Sequence, residues 1–180
     1  INTDTLKIHF LGFDLHDIRL GDLLGNFFEI TIRNVELNEN EIMTRINGIM
    51  ADVKKFGGLP NFFGPQRFGE SRPITHLVGK FIILNDFRSA LRYYIGLNFN
   101  DDKEASRARK IFWDTEDAHE ALRIFPKRLK LERTLLKLLI ETNYDYAQVF
   151  NRLSLQLRKL FVHAYQSYLF NNYLHIRYFE

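Results

Sequence analysis

Two kinds of hydrophobic periodicity divide the chain. From Asn26 to Glu36, Phe28, Ile30 and Ile32 alternate with Glu29, Thr31 and Arg33, the period of two expected of a strand buried on one face. Leu6–Asp14 (LKIHFLGFD) also reads as a strand, and between the two RLGDLLGN sets Gly21 and Gly25 around an apolar pair, which is turn chemistry. The period then changes. Ile42, Ile46, Ile49, Met50 and Val53 recur at helical spacing, so the pattern predicts a helix over 38–56. Asn38 with Glu41 three residues later resembles a capping box, and Gly57-Gly58 stop the helix. From Pro73 onward the spacing is helical throughout. It predicts helices near 74–85, 87–97, 101–113, 116–124, 127–141, 146–152 and 154–179, joined by short polar loops. The expected fold class is α+β, with a switch to helical structure near residue 73 as a candidate domain boundary.

Composition narrows the chemistry. The 180 residues are enough for one good core, or for one domain with a smaller companion. There is no Cys, which excludes disulfides, thiolate metal sites and Cys nucleophiles. No apolar run is long enough to span a bilayer and no signal-peptide pattern opens the chain, so a cytoplasmic protein without membrane contact is expected. Net charge is +3 but uneven: residues 1–50 hold eight acids against four bases, and the remainder carries the excess of Lys and Arg. A basic half suggests a polyanion such as RNA as partner. The chain opens on Ile1, not Met, and closes on Glu180 inside a periodic segment with no stop signal, so both ends read as internal to a longer protein.

Most standard sites are missing. His9, His16, His76, His119, His163 and His175 include no H-E-x-x-H pair, and structural or surface roles are expected for them; no metal is expected. Neither G-x-G-x-x-G nor G-K-[ST] occurs, and no Ser sits in a G-x-S-x-G setting. Three stretches remain. RIFPKRLKLERTLLK (residues 123–137) holds six bases against one acid, with Leu131, Leu135, Leu138 and Leu139 as its apolar stripe and Lys130, Arg133 and Lys137 on another face. It reads either as a solvated basic helix face or as a phosphate-contacting one, supplied by Lys127, Arg128, Lys130, Arg133 and Lys137. LFVHAYQSYLFNNYL (residues 160–174) is an aromatic helix that is mostly core; its Gln166, Ser167 and Asn171 would need partners if buried and could hold a neighbouring loop.

The third stretch is NFFGPQRFG, from Asn61 to Gly69. Gly64-Pro65 forbids a central strand, because Pro lacks the N–H a ladder needs, and three Phe are unusual for a surface loop. In an extended segment Asn61 and Phe63 point to one side, where a ring can stack on a base and an amide can bond its edge. Arg67 adds a cation for a phosphate or carboxylate. A loop that pins its Phe residues into a core accounts for the composition equally well. The pocket reading expects Phe63 partly exposed in a cleft shared with Asn61, and Phe62 and Phe68 buried.

LPNFFGPQRFG resembles the N-x-F-G-x-Q-R-F-G signature of the TruD family of tRNA pseudouridine synthases. RLGDLLGNFFEITIR resembles that family's preceding strand pair, RPITHLVGKFII with FPKRLKLERTLL its archaeal-type insertion domain, and VHAYQSYLFNNYL its return helix. The resemblance implies a pseudouridine-synthase catalytic domain with a mixed or antiparallel sheet and helices, interrupted by a mostly helical insertion. On this chain that gives residues 1–72 and 154–180 as catalytic domain and 76–150 as insertion. It implies a monomer that isomerises a D-arm uridine of tRNA, uridine 13, to pseudouridine without cofactor or metal. A nucleophilic Asp attacks the flipped nucleoside, the glycosidic bond breaks, and the uracil turns and rejoins through C5. Asn61, Phe63 and Arg67 would be the substrate-binding residues, Phe63 packing against the target base. The family's nucleophile lies in a G-x-K-D-x-x-A-x-T-x-Q stretch, and Asp14, Asp17 and Asp22 lack that setting. The catalytic Asp is therefore expected before Ile1, and the chain alone is expected to be inactive. Two alternatives stand beside this: a catalytically silent RNA-binding protein that kept the pocket, and a helical interaction domain with no RNA role.

Overall fold

The computed structural model describes residues 7–17, 19, 21–99 and 101–179. Packing divides them into two units, one ending at Lys55 and one beginning at Phe56.

In the first unit the capping box is present as read. The Asn38 amide donates to Glu41 Oε2 and the Glu41 amide to Asn38 Oδ1, both at 3.0 Å. The helix α1 (Glu39–Lys55) follows, with acids in its first turn and Lys54 and Lys55 in its last, as the helix dipole favours. None of its residues is buried. The α+β expectation fails here. No strand forms among the described residues, and their regular structure is helical. Residues 26–36 carry the alternating pattern, but Phe28, Ile30 and Ile32 stay 74–81% exposed. The reading of 6–14 as a strand fails likewise, apart from Leu6, which lies outside the described residues. The physical reason is that alternation specifies a face, not a ladder. A strand needs a second chain segment for its N–H and C=O groups and a cover for its apolar side, and the described residues of this unit supply neither for 26–36.

The second unit is helical: α2 (Thr75–Ile83), α3 (Phe87–Gly96), α4 (Lys103–Thr115), α5 (Ala118–Ile124), α6 (Lys130–Glu141), α7 (Tyr146–Asn151) and α8 (Leu155–Phe179). The predicted helices match these to within about three residues, and four of the seven starts carry a readable Asp cap. Asp86, Asp102, Asp117 and Asp145 each accept amide hydrogen bonds from the first turn that follows. Consecutive helices pack on one another from α2 to α6, α7 lies on α3 and α6, and α8 returns to pack against α2. Val78, Leu91, Ile95, Phe112, Leu135, Leu136, Leu139, Val149 and Phe161 form the core, with exposures of 0–2%. Each such side chain contributes about 1.5–3 kcal/mol by leaving water. The α2–α8 contact is unusually close. A Cβ on Gly79 would stand 2.0 Å from the Phe161 carbonyl oxygen, so only glycine lets these two backbones meet. That contact fixes α8 beside the chain that enters α2, which is the Phe-rich loop.

Candidate functional site

The loop owes its shape to local chemistry first. Gly64 is extended (φ −74°, ψ 172°), Pro65 opens a 3-10 turn over Pro65–Arg67, and the Arg67 and Phe68 amides donate back to the Gly64 and Pro65 carbonyls. Pro is suited to that first position because its fixed φ fits and its missing N–H is not needed. Gly69 (φ +104°) turns the chain out, and a Cβ there would lie 2.2 Å from the Arg72 carbonyl oxygen.

Helix α8 then holds the loop from one side. The Asn171 side-chain amide clamps Phe63: the Phe63 N–H donates to Oδ1 and Nδ2 donates to the Phe63 carbonyl, both at 3.0 Å. One turn earlier, Ser167 accepts a hydrogen bond from Arg67 Nε at 2.9 Å while its hydroxyl donates to the His163 carbonyl at 2.8 Å. Ser167 is 3% exposed, so both roles are protected from water. With its backbone fixed, Phe63 presents its ring edge-on to Phe170 at 5.6 Å, and the Arg67 guanidinium lies 5.2 Å from the ring centre. Arg67 Nη1 and Nη2 donate to no described residue.

The result is a cavity of about 410 Å³ lined by Asn61, Phe62, Phe63, Arg67, Gln166, Ser167 and Phe170. A second hollow, about 420 Å³, opens on the other flank of Phe63 and Arg67. The structure thus brings Asn61, Phe63 and Arg67 together around one space. Phe63 is 42% exposed there. Phe62 departs from expectation: it is 37% exposed and lines the same cavity, and Phe68 is half-buried. The turn at Pro65 sets Phe68 against α2, where its ring meets His76 edge-on at 5.4 Å. His76 also stacks on Tyr168 at 4.8 Å, and burial lowers its pKa below the ordinary imidazole value. Chemically the cavity offers rings, amides and one cation. Among the described residues no carboxylate lines it.

The five predicted phosphate contacts are distributed differently. Lys127, Lys130 and Lys137 are exposed. Arg128 is ion-paired with Asp102. Arg133 Nη1 donates to the Leu122 and Phe125 carbonyls at 2.7 and 2.6 Å, closing the end of α5. Among the described residues no group of three or more His, Asp or Glu is placed to hold a metal, and no helix is long and apolar enough to cross a membrane.

Phe170 and Arg72 were not singled out by sequence. Phe170 follows Ser167 by three residues, a helical neighbour that could have been read from spacing alone. Arg72 could not. Its Nη1 donates to Glu132 Oε1 at 3.2 Å and its Nη2 to the Tyr94 and Leu97 carbonyls at 2.8 and 2.9 Å, anchoring the far end of the loop to residues distant in sequence. Burial, then the nearby Arg109 charge, lowers the Arg72 pKa, and Glu132 and Asp101 oppose the shift.

The clamp is testable by itself. Each Asn171 hydrogen bond contributes about 1 kcal/mol. Asn171→Ala is therefore expected to speed exchange of the Phe63 amide proton by about tenfold or more, with little change in the melting temperature of the bundle. Unchanged exchange would show that the loop holds its shape without α8.

Comparison with known proteins bears on the family of the chain. The family model for tRNA pseudouridine synthase D (TruD) matches residues 1–180. The chain is 42% identical over 166 residues to a protein of Methanococcoides burtonii named probable tRNA pseudouridine synthase D, covering 92% of this chain and 38% of that one. It is 44% identical over 157 residues to a protein of the same name from Thermococcus gammatolerans, covering 87% and 37%. The crystal structure of tRNA pseudouridine synthase D from Methanosarcina mazei superposes with a TM-score of 0.72 at 40% identity, over 78% of this chain and 32% of that one. The chain thus spans about two fifths of the length of these curated relatives. With the family model matching residues 1–180 and relatives of that name 42–44% identical over most of its length, the chain belongs to the TruD family of tRNA pseudouridine synthases.

Proposed function

We propose that this chain carries the base-holding side of a tRNA pseudouridine synthase site. The observation that carries the reading is the Phe63 ring, fixed through its own backbone by Asn171, beside Asn61 and Arg67 on a cavity of about 410 Å³. A uridine turned out of its stack can lie against Phe63, with Asn61 bonding its edge and the unused Arg67 N–H groups meeting a phosphate or carboxylate. Because the backbone is clamped, the ring loses little freedom on binding. The substrate is a D-arm uridine of tRNA, uridine 13. Residues 1–72 and 154–180 belong to the catalytic domain and 76–150 to an insertion, in a cytoplasmic monomer.

Isomerisation needs a nucleophilic carboxylate that breaks the glycosidic bond and releases the uracil to rejoin through C5, with loss of the C5 hydrogen. No carboxylate of the described residues lines the cavity, which supports a nucleophilic Asp supplied from outside these 180 residues. The chain alone is expected to bind tRNA, more weakly as salt rises, and to form no pseudouridine. A tritium-release assay on tRNA labelled at uridine C5 tests this. Release above background that is abolished by mutating one Asp of this chain would overturn the assignment, and salt-independent or absent binding would overturn the RNA reading. The missing carboxylate equally favours a second reading, a silent tRNA-binding protein. Tritium release by the full-length protein would reject it.

A further inference from the structure

Along α8, below the Phe63 cavity, lies a second hollow of about 350 Å³ whose polar lining is entirely donor-bearing: Asn85, Asn151, Arg158, Lys159 and His163, over a floor that includes Phe150. Among the described residues no carboxylate lines it. Arg72, Arg88, Arg92, Arg109, Lys110, Arg128 and Arg152 of the same unit are ion-paired, whereas the two cations here join the unit's unpaired ones and share a concave space. The side chains of Arg158 and Lys159 make no ion pair among the described residues, and Arg158 Nε is shielded from solvent with no hydrogen-bond partner. Arg158 is only partly buried, so its guanidinium keeps open N–H donors beside Lys159, and paired cationic donors of this kind bind an oxyanion strongly.

The position of this hollow gives the anion a source. Lys159, His163, Gln166 and Phe170 recur at i, i+4, i+7 and i+11 on one face of α8. Gln166 and Phe170 line the Phe63 cavity, and Lys159 and His163 line this one. Seven residues of helix separate Lys159 from Gln166, about 10 Å at 1.5 Å per residue. A strand whose base enters the Phe63 cavity therefore runs its backbone within reach of these donors. The turn that joins the two hollows is also the one in which Ser167 bonds both Arg67 and the His163 carbonyl.

We propose that the Arg158–Lys159–His163 hollow is a phosphate-binding site that takes a backbone phosphodiester of the RNA strand flanking the nucleotide in the Phe63 cavity. The proposal rests on the RNA reading of that cavity. Phosphate contacts set salt dependence, whereas stacking does not. The test measures tRNA affinity of the 180-residue chain by fluorescence anisotropy at several salt concentrations, for wild type, Lys159→Ala, Arg158→Gln, Arg158→Lys and Phe63→Ala. Lys159→Ala and Arg158→Gln are each expected to weaken binding by about three- to tenfold and to lower the slope of log K against log salt by about 0.7–0.9. Arg158→Lys is expected to keep the wild-type slope, and Phe63→Ala to weaken binding without changing it. Thermal melts report folding. If Arg158→Gln unfolds, the exposed Lys159 decides the matter alone. An unchanged slope in folded Lys159→Ala overturns the phosphate site, even when Phe63→Ala still weakens binding. Unchanged affinity in Phe63→Ala overturns the base cavity instead.

Discussion

Phe63→Ala is expected to weaken tRNA binding by between about five- and a hundredfold, and to lower turnover of the full-length protein by at least as much. An aromatic ring stacked on a base contributes about 1–3 kcal/mol, and each 1.4 kcal/mol is tenfold. The same substitution is expected to cost the fold little. The ring is 42% exposed, its backbone is held by Asn171 whatever side chain it carries, and its neighbours Phe170 and Arg67 are themselves at a cavity wall. Binding isotherms and thermal melts on the same preparation separate the two quantities. A loss of melting temperature with tRNA affinity retained would mean that the ring only packs the loop. Phe63→Tyr and Phe63→Leu sharpen the comparison: Tyr keeps the stacking face, whereas Leu keeps bulk without it, so affinity should follow the ring and not the volume.

Arg109→Met is expected to be the most destabilising change in the helical unit, by about 3–5 kcal/mol, the range for removing one partner from a buried ion pair. The Arg109 side chain is 1% exposed. Its Nε donates to Asp101 Oδ2 at 2.9 Å, its Nη2 to Glu132 Oε1 at 3.0 Å and its Nη1 to the Ile95 carbonyl at 2.9 Å. Its loss leaves Glu132 and Asp101 to Arg72 alone, at 3.2 and 3.9 Å. The neighbouring Tyr94 hydroxyl, its pKa pushed up to about 12 by burial and by the Glu132 charge, stays neutral and supplies no positive charge in place of Arg109. Chemical denaturation measures the loss. Arg109→Lys is expected to recover only part of it, because an ammonium keeps the charge but cannot reach a carboxylate, a second carboxylate and a carbonyl as the planar fork does. A change under about 1 kcal/mol for Arg109→Met would show that the network is not what holds α3, α4 and α6 together. Since Arg72 shares this network and follows the loop by only three residues, loosening it is also expected to loosen the exit of the Phe-rich loop.

Local chemistry made much of the site legible before any fold was known. Asn61, Phe63 and Arg67 stand out because Gly64-Pro65 and three rings cannot share an ordinary strand or loop, and the cavity gathers all three. Ser167 and Asn171 were legible as polar groups in an aromatic helix that would need partners, but which atoms they would meet was not. Phe62 was misjudged. The local sequence gives no measure of which of three rings around a turn will be set against the helices, and Phe62 stays at the cavity while Phe68 meets His76. The basic segment was legible as charge alone. Only the packing shows that Arg133 closes the end of α5 and Arg128 pairs with Asp102, leaving three exposed lysines.

By itself the sequence determined the helices and their caps. The 3.6-residue spacing, the Asp caps and the Asn38–Glu41 capping box act within a few residues, so their outcome does not wait for the rest of the molecule. It also determined the loop's internal turn, since Gly64, Pro65 and Gly69 each restrict the backbone where they stand. Sheet formation could not be settled in the same way. Alternation over 26–36 is a local property, but a ladder requires another segment to accept and donate its hydrogen bonds, and the described residues provide none. The cavity belongs to the tertiary structure for a related reason. Phe63 and Asn171 are 108 residues apart, and they meet because Gly79 lets α8 lie against α2 closely enough for one side-chain amide to reach both backbone atoms of the ring it positions.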